Sequence, residues 1–147
     1  MNQNTDAIIK SKVVLNIIIP MLLGFIFYYI FCPRVWFVRQ IDHLFHIGFH
    51  LSMKDVSFPE LFMLIRYFFL DLLWVYALEY MLFYFLMYEK NSVLISAIIA
   101  LILAVVVEAL QFIGIFDGTF DVVDIIVECC GCVLASLNLY KLNRRMV

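Results

Sequence analysis

The chain has 147 residues, 66% of them hydrophobic and only 15% charged, with a formal net charge of -2 and a mean hydropathy of +1.03. So apolar a composition excludes a water-soluble domain of this size and points to a bilayer. The slightly negative balance, whose largest basic group is Lys141, Arg144 and Arg145, excludes a nucleic-acid-binding surface. A crossing takes about 20 apolar residues, so one domain of roughly four spans is expected.

The first expected span covers residues 13–31 and contains Pro20 and Gly24, which membrane helices tolerate. Lys10 and Lys12 precede it in the order of a signal peptide. The apolar run is longer than an h-region and no A-x-A site follows, so the expectation is an uncleaved span. Cys32 lacks the small residues of a lipoprotein cleavage site before it.

Between the first two spans, residues 35–51 carry a helical pattern. Phe37, Val38, Ile41, Leu44, Phe45 and Leu51 gather on one side, and Arg39, Asp42, His43, His46 and His50 on the other. The pattern predicts an amphipathic helix in the membrane interface. His43, His46 and His50 are all the histidines of the chain, and imidazoles at i, i+3 and i+7 serve a divalent metal, a shared response to pH, or simply a wet face. No further ligands stand nearby in sequence, so no metal or cofactor is assigned.

The second span, residues 61–88, is dense in aromatic residues and contains Asp71 and Glu79, about 80° apart on a helical wheel and so able to face one bundle interior. Trp74, Tyr76, Tyr80 and Tyr84 surround them, as packing, interface anchors or a cation cage. The third span is residues 93–111 and the fourth 122–140. Cys129, Cys130 and Cys132 fall in the fourth, without the paired C-x-x-C motifs of a zinc site, and are expected to act as small apolar side chains. Lys10, Lys12, Lys90, Lys141, Arg144 and Arg145 lie on one side of this topology, against Arg34, Arg39, Lys54 and Arg66 on the other. The asymmetry favours cytoplasmic termini.

Asp71, Glu79, Glu108, Asp124 and Glu128 fall within or at the ends of spans. A charge at the centre of a membrane helix costs about 2.5 to 3.5 kcal/mol on insertion scales, so such groups must be neutral, paired or wet. Arg66 is the only cation inside a span, on the opposite face of its helix from Asp71. In the fourth helix Asp121, Asp124, Glu128, Gly131 and Ala135 lie within about 40° of one another's mean direction, and Asp117 shares that direction if the helix begins early enough. Glu108 and Gln111 form a second polar patch at the end of the third.

Part of this pattern has a structural explanation. Asp121 fits an N-cap, Asp124 the third position of a capped first turn, and Gly131 with Ala135 a small-xxx-small packing pair. Capping does not reach Glu108 or Glu128. The candidate ligand-binding set is therefore Glu108, Gln111, Asp121, Asp124 and Glu128, with Asp71, Glu79, His43, His46 and His50 as secondary candidates. No Gly-rich phosphate loop, H-E-x-x-H, G-x-S-x-G or Ser/His/Asp set is present, which weakens enzymatic readings without removing carboxylate chemistry.

Glu108 and Gln111, the "GTFDVVD" segment of Gly118 to Asp124, and Gly131 together resemble the VanZ-like family of small bacterial membrane proteins. The resemblance covers roughly residues 67–139. Where family members often carry an arginine before the F-D pair, an asparagine in the following turn and a second glycine, this chain has Gly118, Glu128 and Ala135. The resemblance implies a protein of the bacterial inner membrane and cell envelope. The residues themselves leave several tasks open: binding or modulation through a polar or cationic group held at the outer end of the bundle, which the resemblance would make part of a polar or lipid-linked envelope component, proton-coupled transport through Glu79, Glu108 and Glu128, assembly with a partner subunit, or a carboxylate-metal enzyme acting on a lipid-linked substrate.

Overall fold

The computed structural model describes residues 3–31, 36–46, 48, 59–115 and 120–144. They form five helices and, among the described residues, no strand: α1 (Gln3–Phe31), α2 (Trp36–Phe45), α3 (Pro59–Leu86), α4 (Ser92–Phe112) and α5 (Val122–Asn143). Four of these, all but α2, are long and apolar enough to cross a membrane, so the protein is an all-α, multi-pass membrane protein.

α3 is the central element, packed against α1, α4 and α5, and α4 also packs on α5. The bundle turns many large apolar side chains outward, and the buried stripe of α4 is made mostly of small residues. Ile19 and Leu22 of α1, Ile98 and Ile102 of α4, and Ile126 and Leu137 of α5 face outward, as lipid requires. The buried stripe of α4 is Ser92, Ser96, Ala100, Ala104 and Glu108, one residue every four. That of α5 is Glu128, Gly131, Cys132, Ala135 and Leu139. Apolar burial drives little association in lipid, so small residues that bring backbones together supply the packing.

Two apolar clusters result. Ile9, Val13, Tyr80, Phe83, Met87, Ala135 and Leu139 join the start of α1 to the ends of α3 and α5. Val75, Ala100, Ala104 and Cys132 fill the middle of the bundle.

Several boundaries differ from the sequence expectation. α1 begins at Gln3, ten residues before the expected span, because Ile9 and Val13 extend its packed face and Asp6 complements the dipole of its first turn. α5 continues to Asn143 rather than stopping at residue 140. α2 ends at Phe45 rather than at residue 51, and His46 follows in the left-handed region at φ 53°. The polar stripe therefore does not continue through His46, and Asp42 is turned toward α1, where it accepts a 2.6 Å hydrogen bond from the Tyr29 hydroxyl. Val38 of α2 is buried, while Leu44 and Phe45 are 71% and 62% exposed, in keeping with a helix resting at the interface. The side chains of Phe37 and Arg66, together with His50, Leu51, Asp117 and Gly118, lie outside the described residues.

The cysteines give a simple test of α5 orientation. Cys129 and Cys130 are exposed and Cys132 is buried. In a Cys32→Ser chain, a lipid-soluble diazirine is expected to label Cys129 and Cys130 from the bilayer and to leave Cys132 unmodified, as read by peptide mass. Labelling of Cys132 would show that α5 is rotated.

Candidate functional site

α3, α4 and α5 bring four carboxylic acids together at the end of the bundle where α5 begins. Asp121 is the N-cap of α5, its Oδ1 accepting from the Val123 backbone N–H at 2.9 Å, so the first turn is fixed in direction. Asp124 follows on the same face, partly buried. One turn further, Glu128 is 2% exposed. Its Oε1 accepts a 3.0 Å hydrogen bond from Trp74 Nε1 of α3. Its Oε2 is buried with no hydrogen-bond partner.

Glu108, at the end of the small-residue stripe of α4, is 5% exposed, and it too has a buried Oε2 without a partner. The Asp121 backbone N–H faces its carboxyl group. Asp71 of α3 is half-buried and close enough to act electrostatically on Glu108, Asp124 and Glu128. Among the described residues no lysine, arginine or histidine pairs with any of the four. Burying a charge costs several kcal/mol after relaxation, and like charges add to that cost. The group must be completed by protons, a cation, or a positively charged or hydrogen-donating group from elsewhere.

No three His, Cys, Asp or Glu side chains among the described residues are arranged to hold a metal ion. The cluster is spread over three helices.

Four of the sequence candidates thus converge: Glu108, Asp124, Glu128 and the secondary candidate Asp71. Asp121 stands at the rim, occupied by capping. Gln111 is partly exposed one turn beyond Glu108 and makes no hydrogen bond to the acids. His43 and His46 are exposed on and just after α2 and do not join the cluster.

Glu79 belongs to a separate site. It is 0% exposed. Both its oxygens are engaged, Oε1 by the Ser136 hydroxyl at 2.6 Å and Oε2 by the Cys132 thiol at 2.8 Å. The expectation that Asp71 and Glu79 share one interior holds for direction but not for level along the bundle. Between them lie Val75, Ala100 and Ala104, fully buried, and the contact of Gly131 with α3. Trp74, expected as packing, an interface anchor or part of a cation cage, and Cys132, expected as a small apolar side chain, are both hydrogen-bond donors to buried acids, as is Ser136, which no sequence pattern marks. In a third polar group the Tyr76 hydroxyl donates to Asn16 Oδ1 at 2.9 Å and receives Asn138 Nδ2 at 3.4 Å; its sequence signal is an asparagine inside the first apolar run and another inside the fourth.

A cavity of about 380 Å³ lies between α1 and α3, with Asp71 and Trp74 in its wall. A larger one, about 720 Å³, lies between α4 and α5 over Cys132 and Ser136, and none of the four clustered acids lines it.

Fold and site together define a helical membrane protein with four membrane-spanning helices among the described residues and a partly buried carboxyl cluster at the end of the bundle where α5 begins. No family model matches the chain, and neither does any curated protein or solved structure.

Proposed function

We propose that this chain is a cell-envelope protein of the bacterial inner membrane, with cytoplasmic termini. It binds a positively charged polar group of an envelope component in the cluster of Asp71, Glu108, Asp124 and Glu128. The observation that carries the proposal is the pair of buried carboxyl oxygens, Oε2 of Glu108 and of Glu128, which have no hydrogen-bond partner. Orphaned buried acceptors are uncommon in folded proteins, and intramembrane acids mark functional sites by default. Glu79 is the internal control: an equally buried acid in the same bundle that is fully satisfied by its own chain. The resemblance to the VanZ-like family supports the envelope as setting.

Native mass spectrometry of protein extracted gently from its own membranes, beside a Glu108→Gln, Glu128→Gln double variant, tests this. An adduct is expected on the wild-type protein and not on the variant. A stoichiometric partner subunit in place of a small adduct would transfer the acids to an assembly role, with a partner lysine or arginine as counter-charge. Neither species on either protein would leave proton exchange among the carboxyls as the reading to pursue.

A further inference from the structure

The cavity between α1 and α3 opens on the lipid-facing flank of the bundle. Met21 and Phe25, which border it, are 61% and 46% exposed in a helix that crosses the membrane. It exists because Gly24 has no side chain there: a Cβ at this position would meet Leu70 Cδ2 at 3.8 Å, ordinary contact, and larger groups would fill the space. Its walls are mostly apolar, with Tyr28, Asp71 and the Trp74 indole as the polar members, and the last two stand side by side on α3. Those two residues lead inward to the acids. Trp74 donates to Glu128, and Asp71 is an electrostatic neighbour of Glu108 and Asp124.

Resting on the binding function proposed above, we infer that the ligand enters sideways from the bilayer and is an amphiphile bearing a primary ammonium group. Its hydrocarbon chain lies in the α1–α3 cavity, and its ammonium passes Asp71 to the free oxygens of Glu108 and Glu128. The chemistry matches on both parts. An ammonium offers three N–H donors and no acceptor, which suits Asp71 and two orphaned carboxyl oxygens. A cavity of about 380 Å³ falls in the size class of small-molecule sites, which spans about 300 to 1,000 Å³. A hydrophilic ion arriving by this route would lose its hydration in hydrocarbon. An amphiphile keeps its chain in lipid throughout, and only its head is transferred.

The test uses the full-length protein in phosphatidylcholine nanodiscs, whose quaternary headgroups have no N–H donors. The probes are a dodecylammonium carrying a diazirine at the chain end and the matching uncharged dodecanol. The ammonium is expected to label peptides containing Met21 and Leu70 about tenfold more than the alcohol does, the ratio that one charge-assisted contact of about 1.4 kcal/mol supplies. Glu108→Gln with Glu128→Gln should reduce that ratio to near one. Gly24→Phe, and independently the lipid-facing Met21→Trp, should remove labelling of Leu70 while leaving the protein monodisperse.

In a Trp36→Phe background, the emission of Trp74 reports on the acids separately, with butylammonium as a short soluble amine. If butylammonium shifts Trp74 emission but the two long-chain probes label α1 and α3 equally, side entry is wrong and the acidic site stands. If neither amine distinguishes wild type from the glutamine variant, both proposals fall.

Discussion

Gly131→Ala is expected to prevent stable assembly of the bundle. A Cβ at this position would lie 2.6 Å from Val75 Cγ1, 2.9 Å from the Leu72 carbonyl oxygen and 3.4 Å from Leu72 Cα. The valine methyl group can turn aside; the α3 backbone cannot. Overpacking in a close-packed interior costs about 1 to 3 kcal/mol when side chains absorb it, and a backbone displacement belongs at or above the upper end. The displacement would spread, because Gly131 sits beside Cys132 and the Trp74–Glu128 pair, which depend on the same α3–α5 spacing. Unfolding in mixed micelles measures the effect. Val75→Ala in the alanine background should recover only part of the loss, since the Leu72 oxygen remains in the way. Full recovery would mean that the side chain alone sets the spacing.

The second large effect has the opposite sign. Glu108→Gln combined with Glu128→Gln is expected to stabilise the protein by about 1 to 3 kcal/mol, the cost of a buried group left without its hydrogen bond. Each glutamine replaces an orphaned carboxyl oxygen by an amide that can donate to a neighbouring acid, while the retained oxygens still accept from the Asp121 backbone N–H and from the Trp74 indole. The same variant should lose the adduct sought by native mass spectrometry. A gain in stability with a loss of binding is the behaviour of groups kept for a task rather than for the fold. A loss of stability instead would show that the acids hold the helices together, and the binding proposal would lose its main support.

Much of this arrangement was legible in the sequence, for reasons that differ by residue. The crossings follow from hydropathy alone. The N-cap at Asp121 follows from an acid placed directly before an apolar run, and the structure puts its side chain on the Val123 amide. The shared face of Asp124, Glu128, Gly131 and Ala135 follows from helical periodicity, and the last three are buried. Periodicity gives direction around one helix and no information about height relative to its neighbours. For that reason the pattern of α3 cannot separate Glu79 from Asp71, although α5 meets Glu79 through Ser136 and Cys132 and meets the other acids a turn or more away. The end of α2 was overrun for a related reason. An amphipathic pattern can continue in letters after the backbone has left the helix, as it does at His46 with φ 53°. The long reach of α1 beyond its apolar run was hidden because Ile9 finds partners only in the folded bundle.

The bonds of Glu79 bear on the order in which the chain enters the membrane. Its two donors, Cys132 and Ser136, come 53 and 57 residues later in the sequence. At a synthesis rate of about 5 to 20 residues per second, α3 waits about 3 to 11 s before the helix that satisfies it has been made. During that interval a fully buried acid has no internal partner, and α3 gains by staying beside the insertion machinery or its water-filled channel rather than entering lipid alone. α4, whose buried stripe holds serines and alanines over its first four turns, is free of that constraint until Glu108. The bonds of Glu79 thus couple distant parts of the chain: α3 reaches its final hydrogen bonding only once α5 has been made and docked against it.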